Sequence, residues 1–403
     1  MTRSTRFYSL IFVKLCCSWR ASSGFLVPTA VQTRSARFLS DKHNRLALSS
    51  TTISSNGELL PGIEAIDRIN PDLLEKLEEV RKVPYFRLYS VDMLGSCEYM
   101  PQELFECYSQ TCEVYPVEDD KVPESLRVAD LEDHDFELDG WARWDMPSED
   151  YYDTEEFPEG YTAYDGSEVW RFIHEKICFE EFTYDSDSWK ADFNKAVSGL
   201  HSMISAQVIL GIQEKINAGE EFTDEEMQWS NPAQEFQRRL SPQGETPLAI
   251  ENLYFCFMLL LSAVSKASNR LLVDCQAGRV DQAACASVSA ILSSPLLNDP
   301  SVGVASKKLH DHATKDSDSV GALWEARLRI RDLYRVMNCV QCNKCRFHGK
   351  ISAMGLSTAL QILVGRTGEG GDLNRIHRVE LAALMSTLYK FSRTISYCQQ
   401  MSK

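Results

Sequence analysis

Apolar residues recur with a helical period along most of this chain. Between Pro71 and Arg81 the positions Leu73, Leu74, Leu77 and Val80 share one face, and Asn70-Pro71 reads as a helix start. Ala191 to Ala218 repeats the period and stops at Gly219, and Thr223-Asp-Glu-Glu226 is a capping box for another helix. Leu253 to Val264 is apolar almost throughout, yet it falls short of the ~20 residues a membrane span needs, so it predicts a buried core helix. Further helical patterns cover Asp318 to Gly349, Ser352 to Val364 and Arg378 to Ser396, with a glycine-rich loop, Gly365-Arg-Thr-Gly-Glu-Gly-Gly371, before the last. Strand signals are limited to short pieces such as Tyr85 to Val91, and no internal repeat is visible. The pattern predicts a mainly α fold with few short strands, a single helical domain over 59–403.

Composition sets limits on partners. The 403 residues are 44% hydrophobic and 25% charged, a globular balance, and 42 basic against 58 acidic residues give a formal charge of −16. With no run rich in Lys and Arg of the kind that tracks phosphates, nucleic acid is not expected as a partner. Acid is concentrated at about 118–159, for example Ser148-Glu-Asp-Tyr-Tyr-Asp-Thr-Glu-Glu156, which reads as a solvated, partly disordered insertion. Residues 1–58 read as a targeting presequence and lead. The first forty residues lack Asp and Glu, carry Arg3, Arg6, Lys14, Arg20, Arg34 and Arg37, and hold one short apolar patch, Phe7 to Val13. A signal peptide is therefore expected rather than an anchor.

The candidate chemistry is that of thiols. Cys339-Val-Gln-Cys342-Asn-Lys-Cys345 places three cysteines at three-residue steps in a segment whose pattern is helical, where such residues share a face. Lys344, Arg346, His348 and Lys350 add positive charge that favours thiolate. A structural zinc site would need a second cysteine pair, and an iron–sulfur run would need a fourth cysteine where Gly349 stands. A structural disulfide and a redox-active pair both remain. Upstream, Cys97 is followed by Cys107-Tyr-Ser-Gln-Thr-Cys112, a spacing that suits either a mobile relay pair or a loop staple.

Met337 to Leu363, with the cysteine triplet at its head, resembles the signature of the endoplasmic reticulum oxidoreductins, flavin-dependent thiol oxidases that drive disulfide formation. Tyr85-Phe-Arg-Leu-Tyr89, Tyr161-Thr-Ala-Tyr164 with Trp170 and Cys178, Ser198-Gly-Leu-His201, Glu235-Phe-Gln-Arg-Arg239 and Asn252-Leu-Tyr-Phe255 agree with that family in the same order. The resemblance implies a helical core that binds FAD, while Ala21-Ser-Ser-Gly-Phe25 and the acid-free stretch after it resemble the bipartite presequence of algae with secondary plastids. Thr162, Tyr164, Trp170, Ser198, His201 and Arg239 would hold the cofactor. It implies catalysis by two pairs, Cys107 with Cys112 as the relay and Cys342 with Cys345 beside the flavin, and a structural disulfide between Cys97 and Cys339. No metal is expected.

The implied reaction takes electrons from a disulfide isomerase or another thioredoxin-fold protein and delivers them to oxygen, giving hydrogen peroxide. A monomer in the endoplasmic reticulum lumen is implied, with no membrane span but peripheral membrane association on the lumenal side. A bipartite presequence would direct the chain instead to a plastid or periplastid compartment. Two departures bear on the cofactor. Gly160 and Ala249 stand where the family usually has arginine, and each loss would remove ~1–3 kcal/mol of charge-assisted diphosphate binding. They motivate an alternative, a flavin-poor redox-sensing or partner-binding module on the same scaffold. Cys178, Cys256, Cys275, Cys285 and Cys398 are most simply read as free or buried thiols.

Overall fold

A computed structural model describes residues 62–100, 113–127, 150–159, 166–180, 188–219, 232–240, 246–315, 319–364, 373 and 376–401. These all belong to one unit, Leu48–Lys403. Besides two single turns, Pro84–Arg87 and Glu124–Arg127, its helices are α1 (Ile63–Arg81), α2 (Ser167–Phe172), α3 (Trp189–Ala218), α4 (Pro232–Leu240), α5 (Thr246–Lys266), α6 (Ser268–Gln276), α7 (Gln282–Leu292), α8 (Pro300–Lys315), α9 (Ser319–Val336), α10 (Asn343–Val364) and α11 (Arg378–Met401). The fold is mainly α. Two short strands, β1 (Leu88–Ser90) and β2 (Tyr151–Asp153), pair antiparallel with Tyr89 opposite Tyr152.

Helix α5 lies at the centre, packed on α3, α8, α10 and α11, which is why Leu253–Val264 has almost no polar face. Leu248–Lys266 is long and apolar enough to cross a membrane, but 72% of its apolar window is buried within the protein. Close helix approach depends on glycine at two contacts. A side chain at Gly199 in α3 would collide with the Asn252 carbonyl and the Cys256 sulfur of α5. One at Gly355 in α10 would collide with Thr387 and the Ala383 carbonyl of α11.

Three boundaries differ from the sequence pattern. Helix α1 begins at Ile63 and takes Pro71 into its interior. Asn70 is no cap: its buried amide donates to the Ser392 carbonyl at 2.9 Å and accepts from the Ser392 hydroxyl at 2.7 Å, tying α1 to α11. The pattern from Asp318 to Gly349 breaks at the cysteine triplet, where α9 gives way to a 3₁₀ turn (Met337–Cys339) and an extended Val340. Arg346 stabilises the break by donating to the Val340 carbonyl at 3.0 Å. Helix α10 then runs without interruption through Lys350 and Ile351.

The acidic stretch is not solvated at its C-terminal end. Tyr151, Tyr152 and Phe157 are buried, β2 sits in the two-stranded sheet, and the Asp153 carboxylate is 3.0 Å from Arg87 Nε. Aromatic side chains in an otherwise acidic run draw it into the core, and a paired charge lowers the cost of burial. Cys275 and Cys285 form a disulfide between α6 and α7, which corrects their reading as thiols. The turn after α6 brings them together, a proximity their spacing alone does not reveal. Cys178, Cys256 and Cys398 are buried thiols. The expected capping box at Thr223 to Glu226 and the loop at Gly365 to Gly371 lie outside the described residues.

Candidate active site

The triplet straddles a helix start rather than lying along one helix. Cys339 ends the 3₁₀ turn and is bonded to Cys97, Cα to Cα 4.6 Å, across a sequence separation of 242. Cys342 immediately precedes α10, and its Sγ accepts the Cys345 backbone N–H at 3.3 Å. The positive end of a helix directed at a sulfur stabilises negative charge there. The Cys345 thiol is 2.6 Å from Cys342 Sγ, so the two are placed to exchange between dithiol and disulfide.

The surrounding cations do more than supply charge. Arg346 donates to the Met93 carbonyl at 2.9 Å, and buried Lys350 donates to the Asp92 carbonyl while its ammonium lies 4.8 Å from the Tyr334 ring centroid. They bind the segment before Cys97 to α10, and Arg346 also interacts electrostatically with Cys342.

Cys345 and Trp170 line one cavity that is open to solvent. Met203, Ile204, Ser205, Gln207 and Val208 of α3 form one wall, and Val340, His348, Gly349 and Ser352 another. Glu159 and Lys390 complete it. Cys342 is not among the lining residues. Trp170 stacks on His201, ring centroids 4.3 Å apart and planes 11° from parallel. Beyond Trp170, α2 passes into a π-helical turn, Ile173–Ile177, that carries His174. His174 Nε2 is 3.1 Å from His201 Nδ1, and Cys178 Sγ is 3.7 Å from His174 Nδ1. Burial pushes His201 down to about 3 and the Cys178 thiol up to about 12, so this file is neutral and Cys178 is a poor nucleophile.

Ser198 lies one turn before His201 on α3, half-buried like it. Arg239 is buried on α4, its Nε 2.7 Å from Glu235 Oε1. Neither Ser198 nor Arg239 lines the cavity. Thr162, Tyr164, Gly160 and the pair Cys107 and Cys112 lie outside the described residues. Ala249 packs against the core at the start of α5.

The sequence pattern did not single out three residues. Glu159 Oε1 is 2.8 Å from both His348 Nδ1 and Lys390 Nζ, and Lys390 Nζ donates to Ser352 Oγ at 2.9 Å. Glu159 was hidden in the acidic run and His348 among the cations of the triplet. The one signal for Lys390 is its position between Tyr389 and Phe391, in an apolar stretch of α11.

The lining suits a planar aromatic cofactor in its chemistry, for it offers an indole wall, a sulfur and a buried lysine. Buried Asn252 Oδ1 on α5, where that helix meets Gly199, has no hydrogen-bond partner among the described residues.

Three comparisons bear on this arrangement. The profile of the family described as Endoplasmic Reticulum Oxidoreductin 1 matches residues 72–398. ERO1-like protein alpha of Danio rerio is 25% identical, over 85% of this chain and 84% of its own length. Endoplasmic reticulum oxidoreductin-2 of Arabidopsis thaliana is 28% identical, over 84% of this chain and 76% of its own length. Among solved structures, one described as that of Ero1p, source of disulfide bonds for oxidative protein folding in the cell, superposes with a TM-score of 0.55 at 20% identity. It covers 84% of this chain and 96% of its own, and at that identity it shows the shared fold.

Proposed function

The chain belongs to the Endoplasmic Reticulum Oxidoreductin 1 family, an oxidoreductase family of oxidative protein folding, and from that premise we propose that it is an FAD-dependent protein thiol oxidase. The observation that carries the reading is Cys345, hydrogen-bonded to Cys342 and facing the same cavity as Trp170. A reduced thioredoxin-fold isomerase gives two electrons to the relay pair Cys107 and Cys112, which passes them to Cys342 and Cys345. Each transfer is thiolate attack on a disulfide sulfur. Electrons leave Cys345 for the cavity, and the net change is dithiol plus oxygen to disulfide plus hydrogen peroxide.

When bound, FAD accepts the electron pair of a dithiol and returns it to oxygen. Trp170 supplies a flat wall for its ring system, and Ser198, His201 and Arg239, with Thr162 and Tyr164, would hold the rest. Neutral, half-buried His201 fixes the indole plane by stacking. The disulfide between Cys97 and Cys339, with Arg346 and Lys350, holds the segment that leads toward the relay pair against α10. We infer that it works in the lumen of the endoplasmic reticulum, the compartment in its family's name, with any membrane association peripheral. We assign residues 1–58 as presequence and 59–403 as one oxidase domain.

A second reading, the flavin-poor module, is favoured by Ala249 and by Arg239, whose Nε is committed to Glu235. The visible absorption spectrum decides between them. A flavin band that bleaches on anaerobic addition of reduced thioredoxin-fold partner and returns with oxygen is the expected result, and Cys345→Ala must abolish the bleaching. A folded but colourless protein would overturn the oxidase in favour of the module.

A further inference from the structure

Both ring nitrogens of His348 face oxygen acceptors. Nδ1 is 2.8 Å from the Glu159 carboxylate and Nε2 is 2.7 Å from the Phe157 carbonyl. A neutral imidazole has one N–H and one lone pair, so one contact would set a lone pair against an oxygen. The geometry leaves a place for one more proton than the neutral ring carries. Lys390 adds its ammonium at 2.8 Å from the same Glu159 oxygen, so with the ring neutral the cluster has no net charge.

His348 and Lys390 are buried, Glu159 is half-buried, and all three line the cavity that Cys345 lines; His348 is three residues beyond Cys345 on the same face of α10. Despite its burial cost, Glu159 is held well below the usual carboxylate range by Lys390 and His348, so a proton taken up by the cluster goes to the ring. Burial lowers both His348 and Lys390, which keeps the ring neutral at rest. A ring whose partners favour a proton and whose burial disfavours it responds to a change of charge nearby. The other groups in reach are the Ser352 hydroxyl, Arg81 of α1, Tyr89 of β1 and Cys345; the cavity walls from α2 and α3 are neutral.

We propose that Glu159, His348 and Lys390 form the proton-exchange site of the thiol-oxidising cavity, His348 taking up a proton when Cys345 delivers electrons there and releasing it when they leave. This rests on the flavin reading of the cavity. Closing the disulfide between Cys342 and Cys345 breaks two S–H bonds and frees two electrons and two protons. The electrons and one proton pass to FAD, and His348 keeps the second proton, offsetting the negative charge gained beside it. Oxygen then removes both electrons and both protons as hydrogen peroxide, and His348 returns to the neutral ring.

The test counts protons. The full chain loaded with FAD is reduced anaerobically with dithiothreitol at pH 7.5 in weak buffer with an indicator dye. Wild type should release almost no proton per flavin bleached, and His348→Gln should release about one. Equal release from both proteins overturns the proposal. If no flavin band is present, the oxidase reading fails separately, and nitrogen NMR of the wild-type histidine rings tests the site alone. A His348 ring that is neutral at pH 7.5 and takes up a second proton as the pH falls toward 5 supports it, whereas a ring that keeps one protonation state from pH 5 to 9 refutes it.

Discussion

Removing the disulfide between Cys97 and Cys339 should cost this protein far more than removing that between Cys275 and Cys285, although both are single S–S bonds. A crosslink restricts the unfolded chain in proportion to the logarithm of the loop it closes. The sequence separation of 242 corresponds to about 5.5 kcal/mol, and the separation of 10 to about 2.7 kcal/mol. The expected gap is ~3 kcal/mol. Alanine at both positions of each pair avoids leaving a hydroxyl in the site of buried Cys339. Urea unfolding followed by tryptophan fluorescence, with the remaining disulfide verified by mass spectrometry, gives the two differences from wild type. Equal losses, or a larger loss for the short loop, would refute the reasoning. The chain around Cys97 would then already be confined near α10 in the unfolded state, with Arg346 and Lys350 as the candidates for holding it there.

Three further outcomes are expected. Buried Asp274 joins the Tyr85 hydroxyl to Arg270 and Arg279, so Asp274→Ala should destabilise by ~3–5 kcal/mol in the same urea assay, because it strands buried donors; a loss below ~1 kcal/mol would show that water replaces the carboxylate. The depressed Glu159 carboxyl contributes stability fully above its ordinary value of 4.5, and that contribution fades as pH falls through its lower folded value. Acid-unfolding curves of wild type and Glu159→Gln should therefore converge only at low pH, and parallel curves would contradict the pairing. Cys178, with its thiol pushed up to about 12, should react with iodoacetamide at pH 8 more slowly than a small free thiol by orders of magnitude, read by mass spectrometry; a comparable rate would mean that the buried position opens readily.

The sequence by itself determined the helical class, the stop of α3 at Gly219, the buried character of Leu253–Val264 and the close grouping of the triplet cysteines. Each is written in local signals: a 3.6-residue period, a glycine able to take φ +69°, an apolar run and close cysteine spacing. The bond between Cys97 and Cys339 came from family resemblance, since spacing says nothing about partners so far apart. Tertiary structure alone decided what distant segments do to one another. It turned Asn70 from a cap into a tie to Ser392, broke a continuous helical pattern at Val340 so that Cys342 meets the start of α10, and joined Cys275 to Cys285. It also took Glu159 from an acidic run that looks solvated, Lys390 from an apolar helix and His348 from a basic cluster, and placed them at one cavity wall. A charge is buried at tolerable cost only where an opposite charge or hydrogen-bond partners are buried with it, and such a match exists only once the segments have been packed together.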